Sequence, residues 1–195
     1  ISVKTRLGLE DPEEFPAILE IYNRYPLSEL IIHARDRAGM YKSPVDTAAF
    51  ARAFPRSRCP VCYNGDVFSP AHRERLQEEV PELNRFMLGR GAVANPALFR
   101  QLRGGNAGEK QEMRDFHDHL LQCCREEGLS DFFAVGRMKE LWTYMSHLYP
   151  DSRKALKRLY KSRSLADYQS AAADFFSTAV FDGGRYFTIE DAYAN

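Results

Sequence analysis

Four short apolar runs, each followed by a helical stretch, constrain this chain more than any other feature. They are Ile1 to Thr5, Leu30 to Ile32, Val61 to Tyr63 and Phe86 to Leu88. They recur at intervals of roughly thirty residues, the length of one βα unit. The last two are too short and too continuously apolar for helices, and both stop at glycine-bearing turns, so they read as buried parallel strands. Between the runs, Asp11 to Tyr25 reads as a helix capped by Asp11 with Pro12 in its first turn and Phe15, Ile18, Leu19 and Tyr22 on its apolar side. Further helices are predicted around Asp46 to Ala53 and near Pro70 to Glu79. Strands alternating with helices in this way specify an α/β fold of repeated parallel βα units.

Sites in such sheets lie just beyond the carboxyl ends of the strands, where the loops are free of the packing that fixes the rest. The third run leads into Asn64, Gly65 and Asp66, and the fourth into Gly89, Arg90 and Gly91. Asn95, Pro96, Ala97 and Leu98 then have the pattern of a capped helix start. Glycine lets an anion approach backbone amides, a helix start supplies positive charge, and Arg90 adds a bidentate donor, so this turn reads as a phosphate cradle.

From Glu109 onward the apolar period is helical. Met113, Phe116, Leu120 and Cys124 share one face, and Met138, Leu141, Trp142, Met145 and Leu148 another. A helical domain over residues 106–195 is therefore expected to follow a βα domain over residues 1–105. Lysine plus arginine and aspartate plus glutamate both total 27, so the net charge is zero. The distribution says more, because Arg137 to Arg163 holds eight basic residues against Glu140 and Asp151. Within it, Lys154, Lys157, Arg158 and Lys161 form one stripe at helical spacing, with Leu156, Leu159 and Tyr160 on the other side.

The chain has no apolar run of about eighteen residues and no signal-peptide pattern, and its four cysteines suit a reduced, cytoplasmic setting. Cys59 and Cys62 form a C-x-x-C on the approach to a strand, where that spacing sends the two side chains to opposite faces, against a shared metal. Cys123 and Cys124, near His117 and His119, read as core and surface positions of a helix.

Four segments stand in order: V-K-T-R-L-G at Val3 to Gly8, I-I-H-A-R at Ile31 to Arg35 with Met40 and Tyr41 shortly after, Y-N-G-D at Tyr63 to Asp66, and M-L-G-R-G-A-V-A-N-P-A-L-F at Met87 to Phe99. Together they closely resemble the tRNA-dihydrouridine synthase family. The resemblance implies a flavin-dependent (β/α)8 TIM barrel with a small helical domain, reducing uridines in tRNA with NADPH through FMN. It implies that the four runs are the fifth to eighth barrel strands, so that this chain is the second half of the barrel. Lys4 and His33 would then contact the cofactor, Asn64, Gly65 and Asp66 would line its site, and Gly89 with Arg90 would hold the FMN phosphate. Arg35 and the stripe Lys154, Lys157, Arg158 and Lys161 would contact tRNA. A cation beside the pyrimidine side of a flavin suits the charge of its reduced form.

The family's catalytic cysteine lies in an N-x-G-C-P loop, and no such motif occurs here, so this chain alone is expected to be inactive. The family's R-K-H is replaced by Arg137, Met138, Lys139 and Glu140. Four βα units cannot close a barrel of eight, so the outer strands are expected to need a missing upstream half-barrel or a second copy of the chain as cover. Two alternatives stay open: another FMN-dependent barrel oxidoreductase of the dihydroorotate-dehydrogenase type, and a non-catalytic RNA-binding remnant.

Overall fold

A computed structural model describes residues 1–39 and 43–188. Met40 and Tyr41 lie outside the described residues. The chain forms two compact units, one containing Ile1–Gly89 and the other Arg90–Phe187. Residues 90–105, expected with the βα domain, are grouped with the helices.

The first unit is a parallel sheet in the order β1-β2-β3-β4: β1 (Ser2–Gly8), β2 (Glu29–Asp36), β3 (Val61–Asn64) and β4 (Phe86–Met87). The helices between them are α1 (Phe15–Tyr22), α2 (Thr47–Ala53) and α3 (Pro70–Glu79). β1 and β2 run several residues beyond their apolar cores, because Lys4, Arg6, His33 and Arg35 alternate with apolar neighbours instead of interrupting the ladder.

Asp11 caps as expected, accepting from the Glu13 amide at 2.9 Å, while the Glu14 carboxylate accepts from the Asp11 amide at 2.9 Å. The helix it starts is not continuous, however. A 3-10 turn at Pro12–Glu14 precedes α1, because Pro16 has no N–H to give to the Pro12 carbonyl one α-turn back. Asp46 and Ser69 cap α2 and α3, accepting from the amides of Ala49 at 2.7 Å and His72 at 3.3 Å.

The alternation of each strand sorts the sheet into two faces. Thr5, Ile32 and Tyr63 lie side by side. The Tyr22 hydroxyl meets Thr5 Oγ1 at 3.3 Å, and the Phe50 and Tyr63 rings meet edge-on at 4.8 Å, so this face is covered by α1 and α2. Phe15, Leu19, Leu30, Ile32 and Phe50 are all buried there. The opposite face carries the row Lys4, Ile31 and Cys62 and, one step on, the row Arg6, His33 and Asn64.

The second unit opens with the short helices α4 (Arg90–Ala94) and α5 (Leu98–Gln101). It continues with α6 (Lys110–Glu126), α7 (Asp131–Met145), α8 (Arg153–Lys161) and α9 (Leu165–Thr178). Trp142 is the centre of its core, with ring centroids 4.4 Å from Phe175 and 5.3 Å from Phe176. The residues buried from α7 include Met138, Leu141, Trp142 and Met145, as the period predicts. On α6 the buried line is Met113, His117, Leu121 and Cys124, with Phe116 and Leu120 only partly covered beside it. The line turns because His117 finds polar partners inside. On α8 Leu159 is buried, Leu156 half-buried and Tyr160 exposed. Among the described residues no helix is long and apolar enough to cross a membrane, and no cluster of His, Cys, Asp and Glu is placed to hold a metal.

Candidate functional site

The four strands are parallel, so their carboxyl ends share one end of the sheet, and the face turned away from α1 and α2 collects most of the polar residues. Arg6 pairs with His33 across β1 and β2, His33 with Asn64 across β2 and β3, and Asn64 with Met87 across β3 and β4. Residues side by side in a parallel sheet point to the same face. Lys4, His33 and Asn64 are therefore brought together by register alone. Arg6 joins them, although it had been assigned no part. The signal for it was the alternation Lys4, Thr5, Arg6, which puts both cations on one side of a strand.

Above this row lies a buried polar cluster. Arg35 donates from Nη2 to Asp66 Oδ2 at 2.5 Å, from Nε to the Ser43 carbonyl at 2.7 Å, and lies 3.1 Å from His33 Nε2 through Nη1. Arg35 and Asp66 side chains are 1% and 2% exposed, so the pair is withdrawn from solvent. The guanidinium of Arg35, for which the resemblance implies a tRNA contact, is hydrogen-bonded inside the protein, where it positions His33 and Asp66. A guanidinium has only hydrogens to offer, so His33 Nε2 accepts and the ring proton sits on Nδ1. Burial, then Arg6, Arg35 and Lys4, push the His33 pKa down to about 4 against the opposing pull of Asp66. The imidazole is thus neutral near pH 7.

Lys4 lies on the same face with its side chain exposed. Partial loss of water and the neighbouring Arg6 lower its pKa from the ordinary lysine value. Asn64 donates from Nδ2 to the Met87 carbonyl at 2.9 Å, which ties the end of β3 to β4. Gly65 is required by close approach, since a Cβ there would collide with the Tyr63 ring and hydroxyl. A Cβ on Gly89, by contrast, would meet nothing within 4 Å, so the space before that backbone is open.

Arg90 is the first residue of α4 instead of part of a longer turn. The helix start expected at Asn95 to Leu98 is displaced to α5, with the buried Asn95 Oδ1 accepting from the Ala97 amide at 3.0 Å and Nδ2 donating to Gln101 at 2.8 Å. In the helical unit, Lys154, Lys157, Arg158 and Lys161 are exposed on α8, and Arg158 donates to Asp174 at 2.7 Å. The cysteines are free thiols. Cys62 is buried on β3, with its pKa pushed up to about 11, mostly by burial, and Cys59 is half-buried in the turn before it.

The family model described as dihydrouridine synthase matches residues 1–173. The chain belongs to the dihydrouridine synthase family. Curated proteins named tRNA-dihydrouridine(16) synthase are similar to this chain. That of Pseudomonas putida is 29% identical over 158 residues, covering 78% of this chain and 48% of the relative. That of Cupriavidus necator is 29% identical over 189 residues, covering 88% and 56%, and that of Neisseria meningitidis 24% over 181 residues, covering 90% and 54%. The chain thus spans about half the length of the curated relatives it matches.

Proposed function

We propose that this chain supplies four consecutive βα units of an FMN-binding (β/α)8 barrel together with the helical tRNA-binding domain of a tRNA-dihydrouridine synthase that draws electrons from NADPH. The observation that carries the reading is the register row of Arg6, His33 and Asn64, with Lys4 one step below, at the carboxyl end of the sheet.

The donor set suits FMN. Lys4 offers an ammonium disfavoured by partial loss of water and by Arg6, and an anion developing beside it restores the lost stabilisation. Neutral His33 lines this row without adding a charge. Asn64, Gly65 and Asp66 close the end of β3, and the backbone at Gly89 followed by Arg90 suits a phosphate, with open space in front of the glycine. When bound, FMN supplies hydride chemistry to the uracil ring. The ring's proton is assigned to a cysteine outside these four units, in keeping with the absence of N-x-G-C-P from residues 1–195. The exposed stripe on α8 favours an RNA substrate over a small molecule. The outer edges of β1 and β4 are to be covered by the remaining strands of the barrel.

The test is a full-length protein containing this chain. It is expected to purify with visible flavin absorbance and to raise the dihydrouridine content of unmodified tRNA when given NADPH. Arg90→Ala should weaken retained FMN by on the order of 1.5–3 kcal/mol, the worth of a charge-assisted contact. A colourless full-length protein that takes up no added FMN overturns the reading.

A further inference from the structure

The start of α8 borders a cavity of about 740 Å3 that lies wholly within the helical unit and is distinct from the stripe on the helix body. Arg153 and Arg185 both line it, and both are exposed. Among the described residues neither stands in an ion pair, unlike Arg158 with Asp174. Arg185 is the only basic residue after Ser164 in an otherwise acidic tail. It reaches the cavity through a built turn. The Asp182 amide donates to the Leu148 carbonyl at 2.9 Å and the Arg185 amide to the Asp182 carbonyl at 3.2 Å. The Asp182 carboxylate accepts from the Gly184 amide at 3.0 Å. One oxygen of that carboxylate is thus used inside the turn, and no ion pair between Asp182 and Arg185 stands among the described residues.

The helix start adds positive charge to the same place. Ser152 holds the N-cap position, yet its hydroxyl donates to the Tyr149 carbonyl at 2.8 Å, and no side chain caps α8. No acidic residue stands in its first turn. The first amides of the helix are left with the positive end of its dipole and with no carboxylate in the first turn to balance it. One acid does line the cavity, Asp151, whose φ of 59° turns the chain into the helix. Two forked donors against one carboxylate leave an excess of positive charge with the planar geometry that phosphate oxygens accept.

We propose that this cavity binds a backbone phosphate of tRNA, using Arg153, Arg185 and the first amides of α8. The inference rests on the RNA-binding reading above and extends the contact beyond Lys154, Lys157, Arg158 and Lys161.

The experiment measures tRNA binding by the full-length protein over a range of salt concentrations. The double variant Arg153→Gln/Arg185→Gln should flatten the log–log salt slope by roughly one to two units and weaken binding about tenfold or more at low salt. Lysine at both positions should restore most of the slope, since the charge is kept. Asp151→Asn should act in the opposite direction and tighten binding, because it removes the one carboxylate of the cavity. If Lys157→Glu/Arg158→Glu abolishes binding while the glutamine pair changes neither affinity nor slope, the cavity assignment is wrong and the RNA-binding reading stands. If wild-type protein binds no tRNA even at low salt, both fall together. Inorganic phosphate provides the remaining arm. Should the glutamine pair lose phosphate binding, read by titration calorimetry, while keeping its tRNA slope, the site takes a free anion and its assignment to RNA is overturned.

Discussion

The sheet unit and the helical unit bury polar groups in different ways. In the sheet unit an ion pair and a histidine are withdrawn from solvent beside the strand ends, with Arg35 joining Asp66, His33 and the Ser43 carbonyl. In the helical unit the buried members of the polar line are neutral, and charge enters only at its exposed end, Asp118. Trp142 Nε1 donates to the Tyr168 hydroxyl at 2.9 Å, that hydroxyl lies 2.7 Å from His117 Nε2, and His117 Nδ1 lies 2.8 Å from Asp118. Because Tyr168 oxygen already accepts from Trp142, its proton goes to His117 Nε2, and His117 Nδ1–H goes to Asp118. A charged cluster is costly to desolvate and suits a site that must hold charge in place, whereas a neutral chain of hydrogen bonds suits a core that only needs to be specified.

The largest expected effect breaks the first cluster. Asp66→Ala removes the carboxylate that the buried Arg35 guanidinium meets through Nη2, and should lower the unfolding free energy of the sheet unit by about 3–5 kcal/mol in urea titrations. Restoring an apolar partner by Arg35→Met in the same chain should recover much of this, because the uncompensated charge is then gone. If Asp66→Ala costs under about 1 kcal/mol, the pair is not desolvated and the contrast between the units fails.

Acid should expose the same difference through His33. Its pKa is about 4 in the folded chain, against roughly 6.5 for a free histidine, so the unfolded chain binds the proton more readily. Stability contributed by neutral His33 is complete above about pH 6.5 and is lost as pH falls towards 4, on the order of 3 kcal/mol in all. Burial also lowers the pKa values of His72 and His117, which adds to the loss in the same direction. His33→Gln keeps a neutral polar group there. The decline between about pH 7 and pH 4.5 should therefore be shallower in this variant, and equal declines would remove His33 from the account.

The helical unit should respond less to its own polar deletion. Tyr168→Phe strands the Trp142 N–H and His117 Nε2 without losing ring volume, at a cost of about 1–3 kcal/mol in a thermal or urea transition. The Trp142 environment gives a direct fluorescence readout.

How much of this could be read from the sequence follows the same division. Strand positions, the cap at Asp11, the helix around Asp46 to Ala53 and the apolar face of α7 were legible, because each follows from local spacing and capping chemistry. Lys4, His33 and Asn64 could be singled out but not brought onto one face, since register belongs to the pairing of strands and not to any one of them. The burial of Arg35 could not be read from the sequence, because its partner Asp66 lies 31 residues away. The buried face of α6 was misread for a related reason. His117 is polar by composition, and its place inside depends on Tyr168, 51 residues on. The break between Pro12–Glu14 and α1 was legible in principle, from two prolines spaced by one helical turn.

The smallest expected effect sharpens the comparison from the exposed side. Arg158 and Asp174 form an ion pair at 2.7 Å with side chains 59% and 45% exposed, the opposite of the Arg35–Asp66 setting at nearly the same separation. Water screens such a pair and two long side chains must be ordered to make it, so Asp174→Ala should change stability by no more than about 1 kcal/mol. Its effect on function should be larger than its effect on stability. Asp174 lines the same surface cavity as Lys154, Lys157 and Lys161, where it neutralises one of four cations facing a prospective RNA backbone. Removing it frees the Arg158 fork for phosphate and deletes a repulsive charge, so tRNA affinity should rise and the log–log salt slope should steepen by roughly one unit. A variant of unchanged stability with unchanged salt slope would mean that the stripe is a solvated face, and that whatever RNA the helical unit binds is held elsewhere on it.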